Sequence, residues 1–109
     1  MLKRRERLNR TQFSEFGRKG KRFFSESLTI SFLPYPSFHG AVVVSKKVSK
    51  SAVRRNKLRR QVYAQLQTAR GSGRLGVFVC ILKPEAEKMT SEQFRGAVKN
   101  LIERTDKPA

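Results

Sequence analysis

From Lys46 to Arg60 the chain carries eight Lys and Arg in fifteen positions and no acid. Cations at that density are what neutralising a run of phosphates requires. A merely solvated helix face mixes its signs, because opposite charges four residues apart support one another. An unmixed block points instead to an anion from outside the chain. A second basic cluster occupies residues 1–22, with nine Lys and Arg against Glu6 and Glu15. Within it, Phe13 and Phe16 stand three apart. At helical spacing such a pair is either a core anchor or, on a basic helix, a stacking surface for unpaired bases. Composition leaves both readings open.

Other chemistries find little material. Hydrolysis by paired carboxylates needs acids that meet in a cleft, and no acid occurs between Glu26 and Glu85. Nucleophilic catalysis would depend on His39, the one histidine, read here as a loop residue beside Gly40 with no nearby acid. Cys80, the one cysteine, alternates within an apolar run and reads as a small core residue. One Cys and one His cannot close a structural zinc site, and an intramolecular disulfide is impossible. No glycine loop of the phosphate-cradling type is present. The expectation is therefore no catalytic residue and no metal site within the protein.

The chain as a whole bounds the answer further. Its 109 residues make one domain, residues 1–109, with 38% apolar content for one modest core and a net charge of +17. That excess repels itself in the compact state, so a polyanionic partner is expected. The longest apolar run, Val77 to Leu82, is far short of the roughly 20 residues of a membrane span. The basic start is not followed by an apolar stretch. A soluble, cytoplasmic protein with no membrane contact is expected.

The elements that must position these residues follow from periodicity. Residues 1–8 read as a basic arm. Residues 9–18 read as a short helix, capped by Asn9 or Thr11, weakened by Gly17 and stopped by Gly20. Residues 24–33 alternate and read as a strand with Leu28, Ile30 and Phe32 facing the core. Residues 41–45 read as a second strand, with Val42 and Val44 facing one way. Ser49 or Ser51 caps a helix over 51–69 whose apolar stripe is Leu58, Val62, Leu66 and Ala69. Lys57 and Arg60 project opposite that stripe, with Arg54 and Asn56 on the flanks. Arg55 falls close to the stripe, tolerable only if the first turn overhangs the sheet edge and leaves its guanidinium wet and open to a ligand. Residues 76–82 read as a central strand buried on both faces. Thr90-Ser-Glu-Gln93 is a capping box opening a last helix with Phe94, Ala97, Val98, Leu101 and Ile102 inward. Residues 105–109 read as frayed. The order α-β-β-α-β-α, with one βαβ unit, predicts a small α+β domain of helices packed on a sheet.

At Ser45-Lys-Lys-Val-Ser-Lys-Ser-Ala-Val-Arg-Arg-Asn-Lys-Leu-Arg-Arg60 the sequence closely resembles the signature of the bacterial ribonuclease P protein subunit. The matching positions are Ser45, Lys46, Lys47, Ala52, Val53, Arg55, Asn56, Lys57, Arg59 and Arg60. A Leu-Asn-Arg-x-x-Phe-x-x-Phe-x-x-x-Gly stretch at 8–20 resembles the family's first helix, and Val77–Pro84 and Phe94–Ile102 resemble its C-terminal half. The resemblance implies a single-domain α-β sandwich of order αβββαβα with a small mixed sheet, like the second domain of ribosomal protein S5. Two short strand pieces are then expected within Arg22–Leu33. It also implies a left-handed βαβ crossover, against the general preference for the right-handed form.

The function implied is assistance to an RNA enzyme, an endoribonuclease that removes the 5′ leader of precursor tRNA with magnesium bound mainly by RNA. By resemblance the catalytic RNA is contacted by Lys50, Arg54, Arg55, Asn56, Lys57, Arg59 and Arg60. The leader is expected in a cleft contacted by Phe13, Phe16, Thr29, Ser31, Ala41, Val43, Lys46 and Lys47. The implied partners are the catalytic RNA and precursor tRNA, with no obligate protein partner. Four positions depart from the family pattern: Lys57 replaces an Arg and loses its fork geometry, Tyr63 stands where a further basic residue is common, Gly17 replaces a second aromatic, and Val43 replaces a small or hydroxyl residue. A ribosomal protein with a structural role on ribosomal RNA would match charge, size and fold equally well; the signature separates the two. A protein nuclease would have to cleave with no RNA present.

Overall fold

The computed structural model describes residues 6–106, apart from the side chain of Arg10. The first five residues of the basic arm and the last three of the tail lie outside the described residues.

Helix α1 spans Arg10–Lys19. Its cap is Asn9, whose Oδ1 accepts the Gln12 N–H at 2.8 Å while Gln12 Oε1 accepts the Asn9 N–H at 3.1 Å. This reciprocal pair satisfies two of the donors that every helix start leaves open. Three strands follow: β1 (Lys21–Phe24), β2 (Leu28–Leu33) and β3 (Phe38–Val43). The single strand expected over 24–33 is thus two, split by a turn in which Ser25 bonds to both the N–H and the C=O of Leu28. The second strand begins earlier than expected and ends at Val43, so His39 belongs to it and not to a loop. His39 Nε2 shares a 2.8 Å hydrogen bond with Ser37 Oγ.

Helix α2 spans Ala52–Gly71, capped by Ser51 Oγ, which accepts the Arg54 N–H. It runs two residues beyond the expected end; Ser72 closes it and Gly73 takes φ 94°. Strand β4 (Gly76–Leu82) is followed by a 3-10 turn at Pro84–Lys88 that periodicity did not predict, and by α3 (Ser91–Arg104) with the expected Thr90/Gln93 capping box. The strands form one mixed sheet of order β1-β2-β4-β3, antiparallel except for the β3–β4 pair that α2 connects. This is the αβββαβα order of a small α+β domain.

Alternation along the strands makes two faces. One face presents Leu28, Ile30, Phe78, Cys80 and Leu82 to Leu58, Val62 and Leu66 of α2 and to Phe94, Val98 and Leu101 of α3, all buried in one cluster. The other face is covered by α1 only over β2 and β4. Val77 and Val79 are buried there, but Ile81 is 44% exposed. The expectation of a β4 buried on both faces therefore fails at Ile81, because α1 is too short to cover the whole sheet.

Both ends of the described chain are tied down. Glu6 receives two hydrogen bonds from Arg70 Nη1, at 2.8 and 3.0 Å, and Arg7 bridges Gly40 alongside β3. Thr105, expected to fray, is buried and accepts from Arg74 Nη2 at 2.9 Å. The Arg74 guanidinium also lies over the rings of Phe32 and Phe78.

Candidate nucleic-acid interface

Register brings the residues of the open sheet face into rows. Phe24 pairs with Thr29, Thr29 with Ile81, and Ile81 with Val43. One row further in, Arg22 pairs with Ser31, Ser31 with Val79, and Val79 with Ala41. Over this floor stands α1, and the space between them is a groove of about 350 Å³. Phe13, Ser14 and Arg18 line it from the helix; Arg22, Phe24, Thr29, Ser31, Val79 and Ile81 line it from the sheet. Among the described residues lining it, none is acidic. Phe13, Thr29 and Ser31 thus meet in one groove, with Ala41 and Val43 on the same face one strand beyond.

Phe16 stands apart. Its ring packs edge-on against Tyr35 at 5.4 Å, and Tyr35 in turn against His39 at 5.6 Å. This stack fastens α1 to the loop between β2 and β3, the anchoring reading of an aromatic pair at helical spacing. Lys46 and Lys47 lie beyond the strand end, exposed in the turn that follows Val44.

The basic segment continues from that turn into α2. Core contact along the helix begins at Leu58, so its first turn does extend past the packed region. Arg55, however, is not left open. Its Nη1 donates to the carbonyls of Ser49 at 2.9 Å and Lys50 at 3.0 Å. A cation near the apolar stripe satisfies itself on the incoming backbone and thereby fixes the connection that carries Lys46, Lys47 and Lys50. Arg54 Nη2 donates to the Glu87 carbonyl at 3.3 Å, and Arg59 Nη1 to Asn56 Oδ1 at 3.4 Å. Lys50, Asn56, Lys57 and Arg60 are exposed. Val53 is 80% exposed among these cations, an apolar contact point hidden in the sequence because helix periodicity alone does not tell where packing starts.

Tyr63 is buried against β3, its phenol bonded to the backbone of Val42. Burial pushes that phenol above its ordinary pKa, and the Val42 bond and the charge of Arg7 pull the other way. It is a core residue, not a substitute for a surface cation. Cys80 is fully buried, which pushes its thiol up to about 12 and keeps it neutral. The groove residues that sequence reading missed are Ser14, Arg18, Arg22, Phe24, Val79 and Ile81. Strand pairing across the sheet groups the last four, and the packing of α1 over that sheet adds the residues on the helix; sequence spacing carries no record of which strands are neighbours.

Among the described residues no three His, Cys, Asp or Glu side chains gather where they could hold a metal ion. No described helix is long and apolar enough to cross a membrane.

Known proteins share this fold. The family model described as Ribonuclease P matches residues 2–106. The ribonuclease P protein component of Synechococcus elongatus is 34% identical over 105 residues, covering 89% of this chain and 86% of the relative. That of Microcystis aeruginosa is 35% identical over 104 residues, covering 86% and 84%. Among solved structures, the RNase P protein of Thermotoga maritima has a TM-score of 0.78 at 26% identity, covering 91% of this chain and 96% of that one. A Staphylococcus aureus RNase P protein has a TM-score of 0.84 at 19% identity, covering 92% and 94%, a likeness of fold. With the family model spanning nearly every residue and the fold agreeing in order and layers, the chain belongs to the ribonuclease P protein family.

Proposed function

We propose that this chain acts as the protein subunit of a ribonuclease P holoenzyme and binds two RNAs on adjoining surfaces. The turn at 45–50 and the exposed side of α2 hold the catalytic RNA. The groove between α1 and the sheet holds the unpaired 5′ leader of precursor tRNA. The observation that carries this reading is the groove itself: an aromatic ring, Phe13, above a floor of Thr29, Ser31, Val79 and Ile81, with Arg18 and Arg22 in its walls.

Such a groove suits a single strand. An unpaired base offers a face for Phe13 to stack on, and its phosphates offer charge to the arginines. Hydrogen-bonding side chains on the floor are few, so many leader sequences fit. Duplex RNA presents neither free base faces nor a strand thin enough to enter. Lys46 and Lys47, beyond the strand end, would carry the strand from the groove toward the catalytic RNA. Hydrolysis and magnesium binding fall to RNA in this reading; the protein contributes affinity and orientation.

Reconstitution with the catalytic RNA tests the proposal. The protein should lower the magnesium needed to cleave precursor tRNA and favour precursor over mature tRNA; failure of both rejects it. Phe13→Ala should reduce the ratio of long-leader to short-leader affinity by roughly fivefold or more, the loss of one base–aromatic stack. An unchanged ratio would assign Phe13 to packing.

A further inference from the structure

An aromatic ring on an edge strand carries the inference that goes furthest. In β1, Phe23 faces inward and packs against the core cluster, while Phe24 faces the other way and is 58% exposed. Exposure of so large an apolar side chain loses the burial that ordinarily stabilises it. On a sheet edge it also invites association. Packing therefore does not explain Phe24.

Its surroundings are ordered. The Phe24 carbonyl accepts from Arg104 Nη1 at 3.0 Å, and its backbone pairs with Thr29. Lys83 Nζ lies 5.8 Å from the ring centroid and is itself held by the Ser25 carbonyl at 2.7 Å. The ring is thus backed by a fixed cation and turned into the same groove as Phe13. Phe24 ends the row Val43–Ile81–Thr29–Phe24, which crosses all four strands at the end of the sheet nearest Lys46 and Lys47. At about 4.8 Å per strand the row spans roughly 14 Å, more than one base needs. Its second member, Ile81, is the other large apolar side chain left open on this face.

The geometry points to Phe24 and Ile81 as a second base-binding subsite, at the β1 edge of the groove, that takes an unpaired base of the leader further from the cleavage site than the one at Phe13. Phe24 supplies the stacking face and Ile81 the apolar floor, and Arg22 and Lys83 flank the ribose-phosphate. The occupant is a single-stranded polyanion with flat apolar faces. An acidic peptide lacks the flat faces, and a neutral apolar ligand has no use for the cations. The inference rests on the leader-binding proposal and extends it.

The absence of tryptophan from the chain makes a direct test possible. Phe24→Trp puts a single indole at the subsite. In the reconstituted holoenzyme its fluorescence should be quenched by precursor tRNA with a leader of about ten nucleotides, a length within typical single-strand site sizes. The same tRNA with a leader too short to pass Phe13 should leave it unchanged. In parallel, Phe24→Ala should lower the ratio of long- to short-leader affinity by roughly fivefold or more. Phe24→Tyr should keep that ratio; Phe24→Leu, apolar but without a π face, should not. No quenching, equal quenching by both substrates, or an unchanged ratio in Phe24→Ala would overturn the subsite while leaving the broader reading intact. A wild-type holoenzyme that cleaves no precursor would overturn both.

Discussion

Arg55 and Arg60 belong to one basic segment and look equivalent in the sequence, yet the fold gives them different tasks. The Arg55 guanidinium is spent on the carbonyls of Ser49 and Lys50, whereas Arg60 stands exposed. Arg55→Ala should therefore lower the stability of the free protein by about 1 kcal/mol, since charge-assisted bonds to backbone are lost. Arg60→Ala should change it by less than about 0.5 kcal/mol. For binding to the catalytic RNA the order reverses: Arg60→Ala should reduce the slope of log affinity against log salt by about one. Urea melts and a salt titration measure the two effects. The charge of both residues was legible in the sequence. The carbonyls within reach of Arg55 were not, because they depend on how the chain enters α2. Tyr63 makes the same point, since only its burial against β3 separates a core phenol from a lost surface cation.

At the scale of elements, the legible parts were those with a strong local signal. The caps of α1 and α3 are contacts within a few residues, and the α2 stripe and the β4 run are patterns readable within one segment. Strand limits were less legible where the signal is tertiary. The division of β1 from β2 turns on a bend at Ser25–Ser27, where no glycine or proline marks it. The start of β3 depends on pairing with β4, which lets Phe38 and His39 extend. Gly76 shows how tightly β4 enters the sheet. It takes φ 124°, and a Cβ there would meet the Phe32 ring and come 3.1 Å from the Leu33 carbonyl oxygen. Gly76→Ala should cost about 1–3 kcal/mol of stability, from backbone strain and from displacing Phe32. A thermal melt checks this, with Gly96→Ala as the contrast, since a Cβ at that helical position meets nothing.

On the whole molecule, a net charge of +17 on 109 residues opposes compaction, and the fold does not cancel it internally. Among the described residues the ion pairs are Lys19–Glu15, Arg70–Glu6 and Arg74–Asp106, none of them on the 45–60 segment. Anions that bind the folded surface should therefore stabilise it by mass action. Sulfate should raise the melting temperature by several degrees more than chloride at equal ionic strength. Equal effects would mean general screening without bound anions. The sequence by itself determined the excess of positive charge, the basic segment that carries much of it, the helices with their caps, and the family, because charge density, short-range capping and a contiguous signature are all local properties. Only the tertiary structure decided the groove. Its floor is assembled from β1, β2 and β4, adjacent in the sheet although β3 and α2 separate β2 from β4 in the chain, and its roof from α1. Which side chains share a row across a sheet is set by pairing between distant segments, so Phe24, Ile81 and Val43 come together only once the strands have chosen their neighbours.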